Sequence, residues 1–502
     1  MIRSTISINK GGMRGTSWFP GRRPVLDRVT PMNEPKRISN RSVAGLVVAC
    51  VNALLASMAM WNAESLSSSV DIMFYCSVVL VGILIAIKID NILFLARTLF
   101  IFVIGYYPLF IKTIDRNALF SGFEPRTQDF EITVTMYVIA SLALLGNEIG
   151  LYLGGRKLLG SEIQQPMHEA PRWKMAFFFF LPILALVAYL AAISRGPSIL
   201  SLPYAYQERK VFLGNIHAIG VISLLAMTVA IVKTRIPLGR PILIGSAFLF
   251  LGWALFLRGS RQDVMSAILG MYVCYCIAKV RRPAVTIRVG LLILLIVVVA
   301  ELWGVIRVTL CDYGLDVRQA TQYWMTKVSD RHVHTWGTVS PICTTFANTI
   351  HLVETGQLDY MYGKSYWEFI LRTPPAFIYP NRPRDYAWMF GDYGLQAGGG
   401  IYPLAEAYMN FGVFGALFVP AVISYLISRC YYGALLKQNM LSYFLFFSFA
   451  AMFLRGTWYQ TFAFYKTGLT SLILLFSFWF VNSILARVSR KSIGHPIRKP
   501  LL

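Results

Sequence analysis

The 502-residue chain has little charge and few acids. Charged side chains make up 14% of it, against about 25% in an ordinary soluble protein, while 56% of its residues are hydrophobic. This balance excludes most soluble proteins, and the 34 Phe, 26 Tyr and 11 Trp exclude a disordered chain. The seven cysteines show no paired C-x-x-C spacing, so the sequence predicts neither a zinc site nor a disulfide scaffold.

What the chain has instead is a series of apolar runs of roughly 18–22 residues, the length that crosses a bilayer as a helix. The sequence therefore predicts an all-α polytopic membrane protein with about 12 transmembrane helices. The predicted helices lie near 43–61, 70–87, 92–111, 132–153, 175–193, 211–232, 241–257, 262–278, 284–306, 401–428, 440–454 and 467–486. The chain then divides into a basic N-terminal tail (1–42), helices 1–9 (43–306), a large loop (307–400), helices 10–12 (401–486) and a basic C-terminal tail (487–502).

The charge is strongly positive, with 47 Lys and Arg against 24 Asp and Glu, a formal net charge of +23. If the N-terminus is placed in the cytoplasm, most of the excess falls in cytoplasmic segments, as the positive-inside rule requires. Both basic tails are then cytoplasmic. The charge therefore indicates orientation in a lipid bilayer, and nucleic acid is not expected as a partner.

The large loop, 307–400, lies on the outer face in this orientation. At about 90 residues it is too long for a simple connector, and loops of that length usually fold or carry function. Its pattern predicts a helix over 338–354. It also carries His332, His334 and His351, without the carboxylate cluster or third spaced ligand that a metal site needs. No metal is expected, and each histidine is either a packed, hydrogen-bonded residue or a base or sugar contact.

Three short outer segments carry positive charge against the orientation rule. A single arginine at a helix end usually extends to the membrane interface, but three clusters on one face indicate an anionic ligand. The clusters are 194–210 with Arg195, Arg209 and Lys210, 258–263 with Arg258 and Arg261, and 455–466 with Arg455 and Lys466.

The second cluster, R-G-S-R-Q-D, has the form of a helix start. Ser260 is a candidate N-cap for the eighth span, with Asp263 three residues later in the capping-box position. An outward helix N-terminus flanked by Arg258 and Arg261 is a suitable phosphate site. The alternative is that Asp263 already satisfies the helix end, which leaves nothing for a ligand.

A second outward helix start follows the large loop, in the sequence A-G-G-G-I-Y-P-L-A-E-A-Y-M-N-F-G-V-F-G. Gly399 and Gly400 permit close backbone approach, and Pro403 suits the first helical turn. Glu406 lies one turn into the helix, with Asn410 four residues later on the same face. A carboxylate at that depth is costly outside a polar cavity, so Glu406 is either functional or the structural partner of an arginine.

Cys311 and Cys343 are the two cysteines of the outer loop. In an oxidising periplasm they could form a disulfide, and the alternative is a pair of buried, unpaired thiols. No spacing rule decides between these alternatives.

Taken together, these residues resemble a known family. Many spans, one large external loop late in the chain, the Arg-Gly-Ser-Arg turn and the motif G-G-G-x-x-P-x-x-E-x-Y-x-N-F-G-x-x-G are similar to Wzy-type oligosaccharide repeat-unit polymerases. The stretch L-R-T-P-P-A-F-I-Y-P-N-R-P at 371–383 also resembles a family segment. The resemblance covers roughly residues 190–470, and the first spans match only in hydropathy.

The resemblance implies a metal-independent, inverting glycosyltransferase with a GT-C-like fold at the periplasmic face of a bacterial inner membrane, with no cofactor. It would move a growing glycan from undecaprenyl pyrophosphate onto a lipid-linked oligosaccharide repeat unit, in O-antigen, lipopolysaccharide or exopolysaccharide biosynthesis. A chain-length regulator is a further candidate partner.

The resemblance also assigns roles by position. Arg258 and Arg261 would stabilise the pyrophosphate leaving group. Glu406 would be the base or a positioning residue, with His332, His334 and His351 as rivals. The candidate substrate-binding residues are Arg195, Arg209, Lys210, Ser260, Gly399, Gly400, Asn410 and Arg455.

Other functions stay open at this point. An O-antigen ligase of the same superfamily would transfer the finished glycan to a different acceptor. A lipid-linked oligosaccharide flippase or other transporter would place charge in the middle of the bundle and have short outer loops. A non-enzymatic membrane scaffold is the fourth possibility.

Overall fold

The structure, a computed structural model, describes most of the predicted membrane region and parts of the large loop. The described residues are 35–61, 67–114, 129–156, 170–193, 210–234, 236–252, 261–295, 298, 318, 319, 322, 339–374, 379–383, 386, 392, 393, 402–451, 453, 456 and 461–493.

The described part of the chain forms thirteen numbered helices and no strand. They are α1 Pro35–Trp61, α2 Ser67–Lys88, α3 Ile92–Ile114, α4 Phe130–Arg156, α5 Ala170–Ile193, α6 Lys210–Lys233, α7 Gly239–Gly252, α8 Arg261–Ala278, α9 Val339–Glu354, α10 Lys364–Arg372, α11 Pro403–Lys437, α12 Met440–Ala450 and α13 Phe462–Ile493. Residues 287–295, in the ninth predicted span, are also helical.

Seven helices of the described chain are long and apolar enough to cross a membrane: α1 to α5, α11 and α13. Four more, α6, α7, α8 and α12, have shorter apolar stretches. The prediction of an α-helical, polytopic membrane protein is confirmed at this level. The loop helix expected over 338–354 is present as α9, whereas α10 was not predicted.

The centre of the bundle is a close contact between the backbones of α4 and α11. Three glycines of α4, each one turn from the next, make this approach possible. A Cβ atom built on Gly146 would lie 2.1 Å from the carbonyl oxygen of Leu417, and one on Gly150 would lie 2.2 Å from that of Ala421. Gly154 would meet Tyr425 in the same way, at 2.6 Å. Small residues at this spacing let membrane helices pack where lipid supplies no hydrophobic driving force.

Two apolar clusters lie on either side of this contact. One joins α1, α2, α3, α4 and α9 to the first part of α11 and includes Ile104, Tyr137 and Phe346. The other joins α5, α6, α8, α12 and α13 to the rest of α11 and includes Phe180 and Phe447. Because α11 contributes residues to both clusters, it connects the two apolar clusters to each other.

A buried polar network connects α2, α3, α4 and α11. Arg97 Nε donates to Asn147 Oδ1 at 2.9 Å and to Ser424 Oγ at 2.8 Å. Glu148, next to Asn147 on α4, forms an ion pair with Lys88 at 2.5 Å. All four ionisable or amide side chains are less than 9% exposed. Charges in the membrane interior are tolerated when they are paired in this way.

The helix ends that meet at one end of the bundle are rich in Lys and Arg. Arg41 and Arg282 both donate to Asp90 Oδ2 at 2.9 Å, and Gln438 Nε2 donates to Ile277 O at 3.0 Å. This "basic end" comprises residues 41, 88–91, 233, 234, 236–239, 278–285 and 437–440. The "loop end" is the other one, where α10 and the starts of α11 and α13 meet.

Cys343 of α9 is a free thiol, 1% exposed. Its Sγ donates to the carbonyl oxygen of Ile104 at 3.4 Å. The alternative of a buried thiol therefore holds for Cys343, and Cys311 lies outside the described residues.

We expect Gly150→Leu to destabilise the bundle by about 1–3 kcal/mol or more, because the new side chain would collide with the α11 backbone. The measurement is thermal unfolding of the purified protein in detergent, together with its level in membranes. Gly82→Leu is the matched control, since a Cβ atom on Gly82 meets no atom within 4 Å. Equal melting temperatures for the two variants would contradict the close contact.

Candidate functional site

Helix α11 bends sharply at Gly412. This residue has φ 60° and ψ −145°, a backbone conformation that is essentially restricted to glycine. Beyond the bend, a Cβ atom on Gly415 would lie 2.0 Å from the carbonyl oxygen of Ala407, eight residues earlier. The bend divides α11 into a "short arm", 403–411, and a "long arm", 413–437. The N-F-G-x-x-G motif thus needs one glycine for the bend and the other for the close approach of the arms.

The end of the short arm is capped by the segment that leads into α10. The backbone N–H groups of Met361 and Tyr362 donate to the carbonyl oxygens of Met409 and Asn410, both at 3.0 Å. The N–H of Gly363 donates to Asn410 Oδ1 at 2.9 Å. These bonds replace the helical partners that the carbonyl groups lose at the bend. They also fix where α10 begins.

The short arm presents Glu406 to α10 and to the start of α13. The side chain is fully buried, and its Oε1 accepts from Ser365 Oγ at 3.1 Å while its Oε2 accepts from the backbone N–H of Thr461 at 3.3 Å. Asn410 Nδ2 donates to Ser365 Oγ at 2.7 Å, so the face predicted for Glu406 and Asn410 is shared. We call these four residues the Glu406 site. Its carboxylate joins three segments that are distant in the sequence.

Tyr366 lies beside the Glu406 site. Its hydroxyl oxygen is buried without a hydrogen-bond partner among the described atoms, and its ring stacks on Phe411 with centroids 6.3 Å apart. Burial raises the pKa of Tyr366 well above its usual value, and the nearby Glu406 carboxylate raises it further. The phenol therefore stays neutral and is a hydrogen-bond donor rather than a base.

Two cations flank the same region through the ring of Phe462, which follows Thr461 directly. The guanidinium carbon of Arg372, at the end of α10, lies 5.4 Å from the ring centroid, and Lys466 Nζ lies 4.4 Å from it. Cations over an aromatic face are held by its negative charge distribution. Because the Glu406 carboxylate holds α10 to the start of α13, it also helps to place both cations at the same aromatic ring.

Several residues singled out from the sequence fall outside the described part of the chain. They are Arg195, Arg209, Arg258, Ser260, His332, His334, Gly399, Gly400 and Arg455. Arg261 and Lys210 are the first residues of α8 and α6, and their side chains are not described. The candidates that the structure brings together are Glu406 and Asn410.

His351 lies in the last turn of α9 and is half-buried. Its carbonyl oxygen accepts from the Thr355 N–H at 3.0 Å and from Thr355 Oγ1 at 2.7 Å. These contacts close the C-terminus of α9 and do not involve the imidazole ring.

Sequence reasoning missed Ser365 and Thr461 as members of the site. No spacing connects them to Glu406, and their meeting depends on the bend at Gly412. Arg372 and Lys466 could have been found from the sequence. Arg372 belongs to the L-R-T-P-P stretch, and Lys466 belongs to the third basic segment of the outer face.

We expect Gly412→Ala to lower stability, because an L residue at this φ/ψ costs about 1–3 kcal/mol. Its Cβ atom would also lie 3.1 Å from the Tyr360 hydroxyl. Gly433→Ala is the matched control on the same helix, where a Cβ atom meets nothing within 4 Å. Melting temperature and protein level in membranes are measured for both variants, and an unchanged Gly412→Ala protein would contradict the role of the bend.

Comparison with known proteins assigns this site to no family: no family model, no curated protein and no solved structure matches the chain. The site is thus defined by its own residues. It has a buried carboxylate with two donors, a neutral phenol and two cations, all at the loop end of an α-helical membrane bundle.

Proposed function

We propose that this protein is a polysaccharide polymerase of the bacterial inner membrane. It transfers a growing glycan from undecaprenyl pyrophosphate onto a lipid-linked oligosaccharide repeat unit at the periplasmic face. We further infer twelve membrane spans in a GT-C-like fold, since residues 287–295 are helical within the ninth predicted span. The reaction uses no metal ion and no cofactor.

The observation that carries the proposal is the Glu406 site with its two cations. It lies within the motif G-G-G-x-x-P-x-x-E-x-Y-x-N-F-G-x-x-G and next to the L-R-T-P-P stretch, the two segments that resemble Wzy-type polymerases. An anionic lipid-linked donor requires positive charge at the outer surface. Arg372 and Lys466 place such charge at the ring of Phe462, the residue that follows Thr461 of the Glu406 site.

The orientation rests on the distribution of basic residues. At the basic end, Arg41, Lys88 and Arg282 gather with the helix ends, and the positive-inside rule assigns this end to the cytoplasm. The loop end, with the Glu406 site, then faces the periplasm, where lipid-linked repeat units are polymerised. Both termini are cytoplasmic in this arrangement.

The chemistry is a displacement at the anomeric carbon of the donor glycan. A hydroxyl oxygen of the acceptor sugar forms the new C–O bond while the bond to the pyrophosphate oxygen breaks, with inversion. The acceptor proton passes to a base, and the pyrophosphate leaves with the additional negative charge. Pre-placed guanidinium groups stabilise that charge in the transition state, which is the role proposed for Arg258 and Arg261.

Glu406 fits the positioning role better than that of general base. Its carboxylate is fully buried and already accepts hydrogen bonds from Ser365 and Thr461. A general base must reach the proton that it removes, directly or through one water. We therefore infer that Glu406 holds α10 and α13 in register, and with them the cations that contact the lipid-linked substrate.

The function is tested with purified protein reconstituted in liposomes and supplied with an undecaprenyl-pyrophosphate-linked repeat unit in the presence of EDTA. We expect a ladder of polymer. The Arg258→Ala/Arg261→Ala double variant should leave single repeat units at a normal protein level. Lysine at both positions should restore little activity, because a compact ammonium cannot form bidentate phosphate contacts. Arg240→Ala, at an exposed arginine of α7, is the control.

Each other result overturns a defined part of the proposal. Wild-type polymer from the double variant removes the arginines from the mechanism, and a requirement for Mg²⁺ or Mn²⁺ removes metal independence. Transfer of finished polymer to a different acceptor indicates a ligase. Translocation of single repeat units without polymerisation indicates a flippase.

We expect Glu406→Gln to retain polymerisation within about tenfold of wild type, since an amide can pair with both Ser365 and the Thr461 N–H. Glu406→Ala should lose about 100-fold, because each buried donor left unsatisfied costs about 1–3 kcal/mol. The rate of each variant is measured across pH. A positioning role leaves the acidic limb of the profile in place in the Gln variant, whereas a general base would lose activity equally in both variants.

A further inference from the structure

A pocket opens at the basic end of the bundle, far along the chain from the Glu406 site. It lies between α1, the α2–α3 turn, α4, the segment after α8, and the end of the long arm of α11. It encloses about 50 Å³, which is room for a few water molecules or one phosphate-sized group but not for a sugar chain. Neither the proposed reaction nor its substrates use this pocket.

The charge around the pocket is mainly positive. Arg41, Lys88 and Arg282 line it, together with one acid, Asp90. Asp90 accepts from both arginines through the same oxygen, Oδ2, at 2.9 Å, and Lys88 is paired with Glu148 behind the pocket wall at 2.5 Å. The N-terminus of α3, which begins at Ile92, adds the positive end of a helix dipole.

The backbone holds this arrangement in place. The N–H of Ile92 donates to Pro283 O and the N–H of Val285 donates to Ile89 O, both at 2.9 Å. Tyr272 fixes the same segment by donating to Ala284 O at 2.7 Å. The backbone that follows Arg282 is therefore fixed, and its side chain is held by Asp90, so little ordering remains for a ligand to induce.

Among the described residues that line the pocket, one buried hydroxyl group has no hydrogen-bond partner. The Tyr431 hydroxyl oxygen is buried without a hydrogen bond, and the residue is 1% exposed. Buried hydroxyl groups in folded proteins are almost always hydrogen-bonded, so a lone one beside a cationic pocket points to a missing acceptor. A phosphate oxygen would accept from the phenol and be neutralised by the arginines.

The mouth of the pocket lies at the start of the first apolar span, Arg41–Trp61. Arg41, whose side chain is 41% exposed, stands at its rim. Val43 and Val47 follow on α1 with 43% and 56% exposure, which is the pattern of a lipid-facing helix surface. A group bound at Arg41 is therefore at the depth of lipid headgroups, directly above acyl chains. Basic pockets between helices on the cytoplasmic side of membrane proteins suit anionic headgroups.

We propose that this pocket binds the phosphate of an anionic phospholipid of the cytoplasmic leaflet. The phosphate accepts from Tyr431 and from the arginines at the rim, while the acyl chains lie along α1. The bound lipid ties α1 and the segment after α8 to the end of α11. This inference does not depend on the polymerase proposal.

The experiment uses the full-length protein in nanodiscs of phosphatidylcholine, with or without phosphatidylglycerol, and in phosphatidylcholine discs with added inorganic phosphate. Melting temperature is measured in each, and native mass spectrometry counts retained phosphatidylglycerol. We expect phosphatidylglycerol to raise the melting temperature and to be retained. Tyr431→Phe, which removes only the hydroxyl oxygen, should weaken retention about tenfold, as expected for a hydrogen bond to a charged group.

Two controls separate the pocket from general charge effects. Tyr425→Phe changes an exposed tyrosine of the same helix, and Lys279→Gln removes an exposed cation of the basic end outside the pocket. Both should keep the lipid effect. Arg282→Gln should abolish it, and if that variant does not fold, Tyr431→Phe decides the outcome alone.

The arms of the experiment also separate the sources of phosphate. Stabilisation by inorganic phosphate alone, lost in Tyr431→Phe, identifies a soluble phosphate compound as the ligand in place of a lipid. Equal melting temperatures in all discs, or equal lipid retention by wild type and Tyr431→Phe, would overturn the site.

Discussion

Helices α4 and α11 touch backbone to backbone along Gly146, Gly150 and Gly154, and the other parts of the bundle are placed by that contact. In lipid, packing of this kind substitutes for the hydrophobic effect, because acyl chains are as apolar as any side chain. The contact brings Ser424 to Asn147, so that both share Arg97. It also fixes the long arm of α11, which determines where the bend at Gly412 lies and which segments the short arm can reach.

The buried Glu406 carboxylate of the short arm connects α10 to the start of α13 through its hydrogen bonds. A carboxylate in a site closed to water is costly unless its oxygens are satisfied, and Glu406 obtains its hydrogen bonds from α10 and from the residue before α13. The arrangement is cooperative, since each partner is held by the group that it satisfies. The positions of Arg372 and Lys466 at the Phe462 ring therefore depend on the buried carboxylate of Glu406.

Hydropathy and motif spacing predicted the parts of this structure that depend on neighbours in the sequence. The apolar runs predicted long membrane helices, and Pro403 predicted the start of α11. The four-residue spacing predicted that Asn410 and Glu406 share one helix face. The bend at Gly412 was not predicted, because hydropathy does not report a backbone angle. Ser365 and Thr461 were missed for the same reason: their meeting with Glu406 requires that bend. Helix α10 is too short and too polar for a search based on apolar runs.

Arg97 has a consequence for how the protein enters the membrane. Arg97 lies in the second turn of α3 and is buried, and α4 carries the buried Asn147 and Glu148, so each of these helices would expose polar groups to lipid if it stood alone. In the folded protein these groups satisfy one another, with Lys88 of α2 completing the set. Their mutual compensation is available only when the helices are in the bilayer together. Burial of these polar groups in lipid therefore requires α2, α3 and α4 to be packed together.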